Sequence, residues 1–349
     1  MPPALFVSQH LPKLSAEFKR ALLGVHHLPS LPSVALRLIE LAQAPETDLA
    51  SVADTISLDI ALSIRLLRIA NLPLYASSGH IDKLSQALTL LGLNASVQLT
   101  LDFVLPEVGN DQNSENYALQ QRIWLRSLLA AQAARLLGNA CGEYRTEELG
   151  LAALLQDMGI LLWLQIQPDR YRPLFQVMTD NAALLRAERE HWGFTHADLG
   201  AHLAAQWRLP AYLIRAIAHS ESLAHVSSHF EYCVALSGLL ADLVLADEHI
   251  NQSTRRRWLA QLQDGLGNGL GLDEAVSEQI ILSLEEIVPD LRGLFVVNLP
   301  QPLPALQIQA NELKQLRHLR ELHALSIRPC CDHPIDKALW CYTPEQQSA

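Results

Sequence analysis

The sequence predicts an all-α protein, and three observations carry that expectation. Leu and Ala dominate while aromatic residues make up only 6% of the chain, which suits helices packed on helices better than a sheet rich in Val, Ile and Tyr. Apolar residues recur three and four positions apart almost everywhere, and runs of strict alternation are absent. With 49% hydrophobic and 18% charged residues over 349 positions, the chain can bury a substantial core. Its length suggests two or three domains.

Residues 1–24 read as an N-terminal extension. They lack the basic segment and long apolar run of a signal peptide. A first helical unit is expected over 25–108. In "VALRLIELAQA" (34–44), Val34, Leu38 and Leu41 share a face, Pro32 sits at a tolerated first-turn position and Pro45 ends the run. "TDLASVADTI" and "LDIALSIRLLRIAN" each open on an Asp, and "LSQALTLLGL" and "ASVQLTLDFVL" complete the unit. The polar stretch "PEVGNDQNSEN" (106–116) breaks the periodicity and connects to a second unit over 115–247. That unit starts with "YALQQRIWLRSLLAAQAARLLG". It continues through "LLQDMGILLWLQ" (154–165), which reads as one buried helix with a single acid, Asp157. "HADLGAHLAAQW", "PAYLIRAIAHS" and "FEYCVALSGLLADLVLAD" follow. Residues 248–300 hold two further helices. Residues 301–349 form a proline-punctuated linker, a helix at 305–325 suited to a dimer seam or to packing on the body, and an irregular tail.

Charge and cysteine usage narrow the function classes. A net charge of −11 opposes broad binding to nucleic acid or to an anionic membrane. Arg255, Arg256 and Arg257 read as a solvated helix face. A helix-turn-helix reading of 48–71 leaves only Arg65 and Arg68 on the would-be recognition helix, too small a basic footprint for DNA. Apolar runs are interrupted well short of the ~20 residues that span a membrane, so a cytoplasmic protein is expected. Five irregularly spaced cysteines (141, 233, 330, 331 and 341) do not read as a disulfide framework. "CCDHP" with Cys341 has a count zinc can use, but adjacent cysteines chelate one ion poorly. No phosphate-binding glycine loop or Gly-x-Ser-x-Gly elbow is present.

Several ordered blocks resemble the bacterial HDOD domain family. These are the Leu-Pro-x-Leu-Pro opening, "LDIALSIRLLRIAN", "QALTLLGL", Trp124, "LAALLQDMG", "WGFTHADLGAHLAAQWRLP" and "IRAIAHS", spanning roughly 25–245. The resemblance implies two packed helical subdomains, the second similar to a degenerate HD phosphohydrolase bundle. It also implies a signalling module whose metal ligands are incomplete. Position by position, Arg126 stands where related phosphohydrolases carry a His, Gln156-Asp157 replaces His-Asp, and Ile160 stands where catalytic relatives often carry Lys. Ser220 and Glu221 replace a later His pair, with His219 beside them, and the closing Asp falls near Gly238. Asp157 and His196 alone remain as metal donors. A divalent ion needs several converging anionic or imidazole donors, and an arginine cannot donate a lone pair.

The expected site is therefore a degenerate pocket of Arg126, Gln156, Asp157, His196 and His219, with no catalytic residue, no metal and no cofactor. An Arg126–Asp157 ion pair is expected to replace the metal, against an alternative in which Arg126 points to solvent. Among the clustered His191, His196 and His202, His196 reads as a capping or core hydrogen-bonding group. The expected function is non-catalytic signalling through protein partners, in cyclic-nucleotide or two-component pathways, with homodimerisation and a small ligand in the degenerate pocket as further features. A residual metal-dependent phosphohydrolase and a DNA-binding regulator are the alternatives.

Overall fold

The computed structural model describes residues 11–24, 47–71, 81–93, 95–97, 115–177, 181–207, 209–246 and 250–292, with residue 100 and a few positions between 34 and 41. The Leu-Pro-x-Leu-Pro opening, the 305–325 helix, and Cys330, Cys331 and Cys341 lie outside the described residues. Every described element is helical. Residues 1–306 form one compact unit.

In the N-terminal part, α1 (Ala16–Gly24) precedes α2 (Leu49–Ile56), α3 (Ile60–Ala70) and α4 (Leu84–Leu91). Asp48 and Asp59 cap α2 and α3, accepting from the Ser51 and Leu62 backbone N–H groups. Each satisfies a first-turn donor that the helix leaves without an acceptor. Residues 11–24 of the extension are tied to the second part. Phe18 of α1 sits edge-on to Trp163 and Phe194, at ring separations of 4.9 and 5.1 Å. His202 bonds the Pro12 carbonyl at 2.9 Å, and Gln206 donates to the Leu22 carbonyl.

The second part is built on the long α5 (Glu115–Cys141), followed by α6 (Thr146–Leu155), α7 (Met158–Ile166), α8 (Pro168–Val177) and α9 (Asn181–Trp192). Then come α10 (His196–Gln206), α11 (Ala211–His219) and α12 (His229–Leu245). α13 (Gln252–Asp264), a short π-helical turn (Gly265–Leu270) and α14 (Glu274–Arg292) complete the described chain. α5 packs against α6, α12 and α14, and α10 against α7 and α11.

"LLQDMGILLWLQ" is not one helix: α6 ends at Leu155 and α7 begins at Met158, with Gln156 and Asp157 in the turn between. The 146–166 stretch is long and apolar enough to cross a membrane, but 89% of its apolar window is buried inside the protein. Periodicity cannot reveal such a break, because both sides of it are apolar and buried. The break matters, since it turns an acid out of a helix wall and into the centre of the bundle. Gly159 fixes the approach. A Cβ there would lie 1.9 Å from the His196 carbonyl oxygen, so only glycine lets the start of α10 settle against α7. Gly159→Ala is expected to cost about 1–3 kcal/mol of stability through this overpacking. Urea unfolding with an unchanged midpoint would contradict that.

Candidate functional site

Three helices and one turn of the second part deliver ionisable groups to one place. α5 supplies Arg126, the α6–α7 turn supplies Asp157, the start of α10 supplies His196, and α12 supplies Asp242. Glu221 joins them from just beyond α11.

Arg126 is the hub. Its Nη1 donates to both oxygens of the fully buried Asp157, at 2.5 and 2.6 Å. Nε and Nη2 fork onto the two oxygens of Asp242 at 2.7 and 3.1 Å. Nη2 also lies 3.7 Å from Glu221. The Ser127 hydroxyl donates to Asp157 as well, at 3.2 Å. The expected Arg126–Asp157 pair is therefore present, and it belongs to a larger array. Burial opposes the charge on Arg126, but Asp157, Asp242 and Glu221 outweigh it and hold its pKa well above the ordinary value. Burial pushes the Asp242 carboxyl up in spite of Arg126.

His196 anchors a second half of the cluster. Thr195 caps α10 in a capping box with Asp198, which leaves His196 at the first helical position. Its backbone N–H has no acceptor within the helix and donates to Glu188 at 2.8 Å, while Nδ1 bonds the same carboxylate at 2.9 Å. The Tyr171 hydroxyl donates to Glu188 at 2.5 Å. Nε2 faces Glu221 at 3.6 Å, and Asn181 donates to Glu221 from the other side. His196 is thus a core hydrogen-bonding group. Burial disfavours its charge, yet Glu188 and Glu221 overcome burial and raise its pKa to about 10.

That shift has a defined sign. A group raised from 6.5 to about 10 contributes stability in full below pH 6.5, progressively less from there to about pH 10, and none above. Urea unfolding of the wild type and of His196→Gln is expected to show a stability gap that narrows as pH rises through this window. A gap of constant size would count against a charged His196.

The remaining sequence-predicted residues fall differently. Gln156 is buried beside the cluster, and its amide finds no protein partner. His219 does not join the groups around Arg126: it pairs with Glu231 of α12 at 3.1 Å. His191 bonds the Ala187 carbonyl of its own helix. An acid of α12, Asp242, reaches the cluster from one turn beyond Gly238. A Cβ at Gly238 would lie 3.0 Å from both Arg126 Nη2 and Gln156 Oε1, so that position must stay small while the carboxylate reaches in from the next turn. Asp242 is the sole Asp on α12, a charge on an apolar helix, and that signal would have located it. Glu188 and Tyr171 carry no comparable mark.

The donors for a metal are partly present. Ligand atoms of Asp157, His196 and Glu221 lie within 4.8 Å of one another, and His196 Nε2 and Glu221 Oε1 lack hydrogen-bond partners. A divalent cation nevertheless does not fit. Both Asp157 oxygens are taken by Arg126, whose fixed positive charge would face the ion directly.

The helical bundle and this charged centre define an HD-like module. The chain belongs to the HDOD domain family, whose profile matches residues 28–223. The MmoQ response regulator of Methylococcus capsulatus str. Bath is similar at 24% identity, with a TM-score of 0.60 over 74% of this chain and 98% of that one. A virulence factor of Campylobacter jejuni shares 21% identity, with a TM-score of 0.59 over 78% of this chain and 97% of that one. A protein of Treponema pallidum (strain Nichols) is 22% identical over 211 residues, 59% of this chain, and the chain spans 40% of that relative's length.

Proposed function

We propose that this chain is a non-catalytic regulatory module that acts through contacts with other proteins in a signalling pathway. One observation carries the reading: the guanidinium of Arg126 sits on Asp157 and Asp242, where catalysis in an HD-like bundle would need a cation exchangeable with substrate and water. The internal ion-pair array ties α5, α12 and the α6–α7 turn together and occupies both oxygens of the one acid that stands where a catalytic cation would be held. The family membership and the likeness to a response regulator support a place in signalling. The cytoplasm is the proposed setting, with protein partners or a second copy of the chain as the binding counterpart and neither nucleic acid nor membrane among them. Arg65 is buried in α3, and Arg68 lies over the Trp207 ring at 5.3 Å. Those two arginines are thereby turned inward, which weighs against the DNA-binding alternative.

The test is direct. Protein purified after incubation with manganese, iron, zinc or nickel is expected to hold no stoichiometric metal and to leave phosphodiester and phosphomonoester substrates intact. Metal retained together with hydrolysis that disappears in Asp157→Ala would establish the phosphohydrolase instead. Affinity capture from the native host addresses the partner, and Glu or Lys substitutions on exposed helix faces should then map the contact.

A further inference from the structure

We propose that a cleft between the N-terminal helices and the α5–α6 pair binds a small organic molecule bearing one singly charged oxyanion, with Arg135 as its anchor. The cleft has a volume of about 1020 Å³ and is lined by residues of α2, α4, α5 and α6, at the upper end of what small-ligand sites occupy. It is separate from the charged centre. Arg126 and Arg135 are both on α5, but nine residues advance about 13.5 Å and half a turn round the helix.

Arg135 is placed by packing and not by a counterion. A Cβ on Gly150 would lie 2.4 Å from Arg135 Nε, 2.6 Å from Cζ and 2.7 Å from Nη2. The guanidinium therefore lies on the bare backbone of α6, in the space a side chain at position 150 would take. Among the described residues Arg135 makes no hydrogen bond and no ion pair within 4 Å, although it lines the cleft. The surrounding acids have donors of their own. Glu147 accepts from the backbone and hydroxyl of Ser85, both at 2.9 Å. Asp82 accepts from the Tyr212 hydroxyl at 2.8 Å, and Glu40 is paired with Arg37. Asp54 sits exposed at the edge. Burial lowers the Arg135 pKa despite Glu147 and Asp54, as expected of a cation short of direct partners.

The rest of the lining restricts the ligand. A guanidinium fork matches carboxylate or phosphate oxygens. Leu58, Leu84, Leu151 and Leu154 provide an apolar wall for a ring, and the Ser57 and Ser63 hydroxyls beside them are committed to the Asp54 and Ile56 carbonyls, which leaves Arg135 as the polar anchor. Asp54 and Glu147 repel a dianion, so one negative charge is favoured: a phosphodiester or a carboxylate. The site goes beyond the regulatory reading and does not rest on it, because binding here and capture of a protein partner succeed or fail separately.

The full chain is titrated calorimetrically with 3′,5′-cyclic AMP, 3′,5′-cyclic GMP and benzoate, with adenosine as the uncharged comparator. At least one anionic probe is expected to bind. Arg135→Gln should weaken it at least ten-fold at unchanged helix content, and Gly150→Val, which fills the slot under the guanidinium, should weaken it while leaving the arginine in the chain. Benzoate alone would identify a carboxylate ligand, and the cyclic nucleotides alone a phosphodiester. The proposal is overturned if no anionic probe binds at millimolar concentration, if adenosine binds as well as cyclic AMP, or if affinity survives Arg135→Gln.

Discussion

Arg126→Leu is expected to destabilise the protein by about 3–5 kcal/mol, the usual consequence of removing one side of a buried ion pair. The substitution strips the counterion from Asp157, which is wholly buried, and from Asp242, and takes the nearest positive charge but one from Glu221. What is lost is less the worth of the pair than the cost of leaving carboxylates uncompensated in a bundle that cannot hydrate them. Two consequences separate this account from a simple packing defect. The deficit should shrink as pH falls, because orphaned carboxyls regain neutrality by taking protons. Combining Arg126→Leu with Asp157→Asn and Asp242→Asn should recover much of the loss, since the charges needing a partner are then gone. Urea unfolding of the single and combined variants at neutral and acidic pH decides it. A triple variant no more stable than Arg126→Leu would show that the arginine acts through its volume.

Most of the fold was legible because helices declare themselves locally. Asp48 and Asp59 mark the starts of α2 and α3 as cap residues. What escaped was set by neighbours distant in sequence. The break at Gln156–Asp157 lies within continuous apolar sequence, and the close approach of α10 to Gly159 just beyond it is a contact between segments far apart in the chain. The site was readable as a deficit, a histidine position filled by Arg126 beside an acid that remains. Its compensation was not readable, because Asp242 of α12 and Glu221 just beyond α11 come to the guanidinium from more than ninety residues away. Gly238 and Asp242 lie on the same face of α12, and only three-dimensional reach shows that the acid, one turn on, is what meets Arg126. His219 was drawn into the expected pocket by sequence proximity to Glu221, but the helix end at Ser220 sends its ring toward Glu231.

If the arginine is what excludes a metal, then Arg126→His should admit one. The other donors are already gathered: Asp157, His196 and Glu221 have ligand atoms within 4.8 Å of one another, and Asp242 would be released by the same substitution. His196 is even oriented for the purpose, with Nδ1 on Glu188 and Nε2 unbonded toward Glu221, the arrangement by which a second-sphere carboxylate fixes a ligating imidazole. Its high pKa follows from carboxylates that a cation would neutralise, so metal binding should displace its proton and be favoured as pH rises. The variant is expected to be less stable than wild type without added metal, to bind manganese or nickel near stoichiometry, and to gain in melting temperature as the ion is added. Wild type should show no such gain, and Asp157→Asn in the Arg126→His background should abolish it. The contrast is informative whichever way hydrolysis falls, because it measures occupancy and not turnover. An Arg126→His protein that folds yet takes up no metal would mean that the bundle has lost the site's geometry along with its histidine, and that Arg126 is one part of a wider remodelling instead of its single cause.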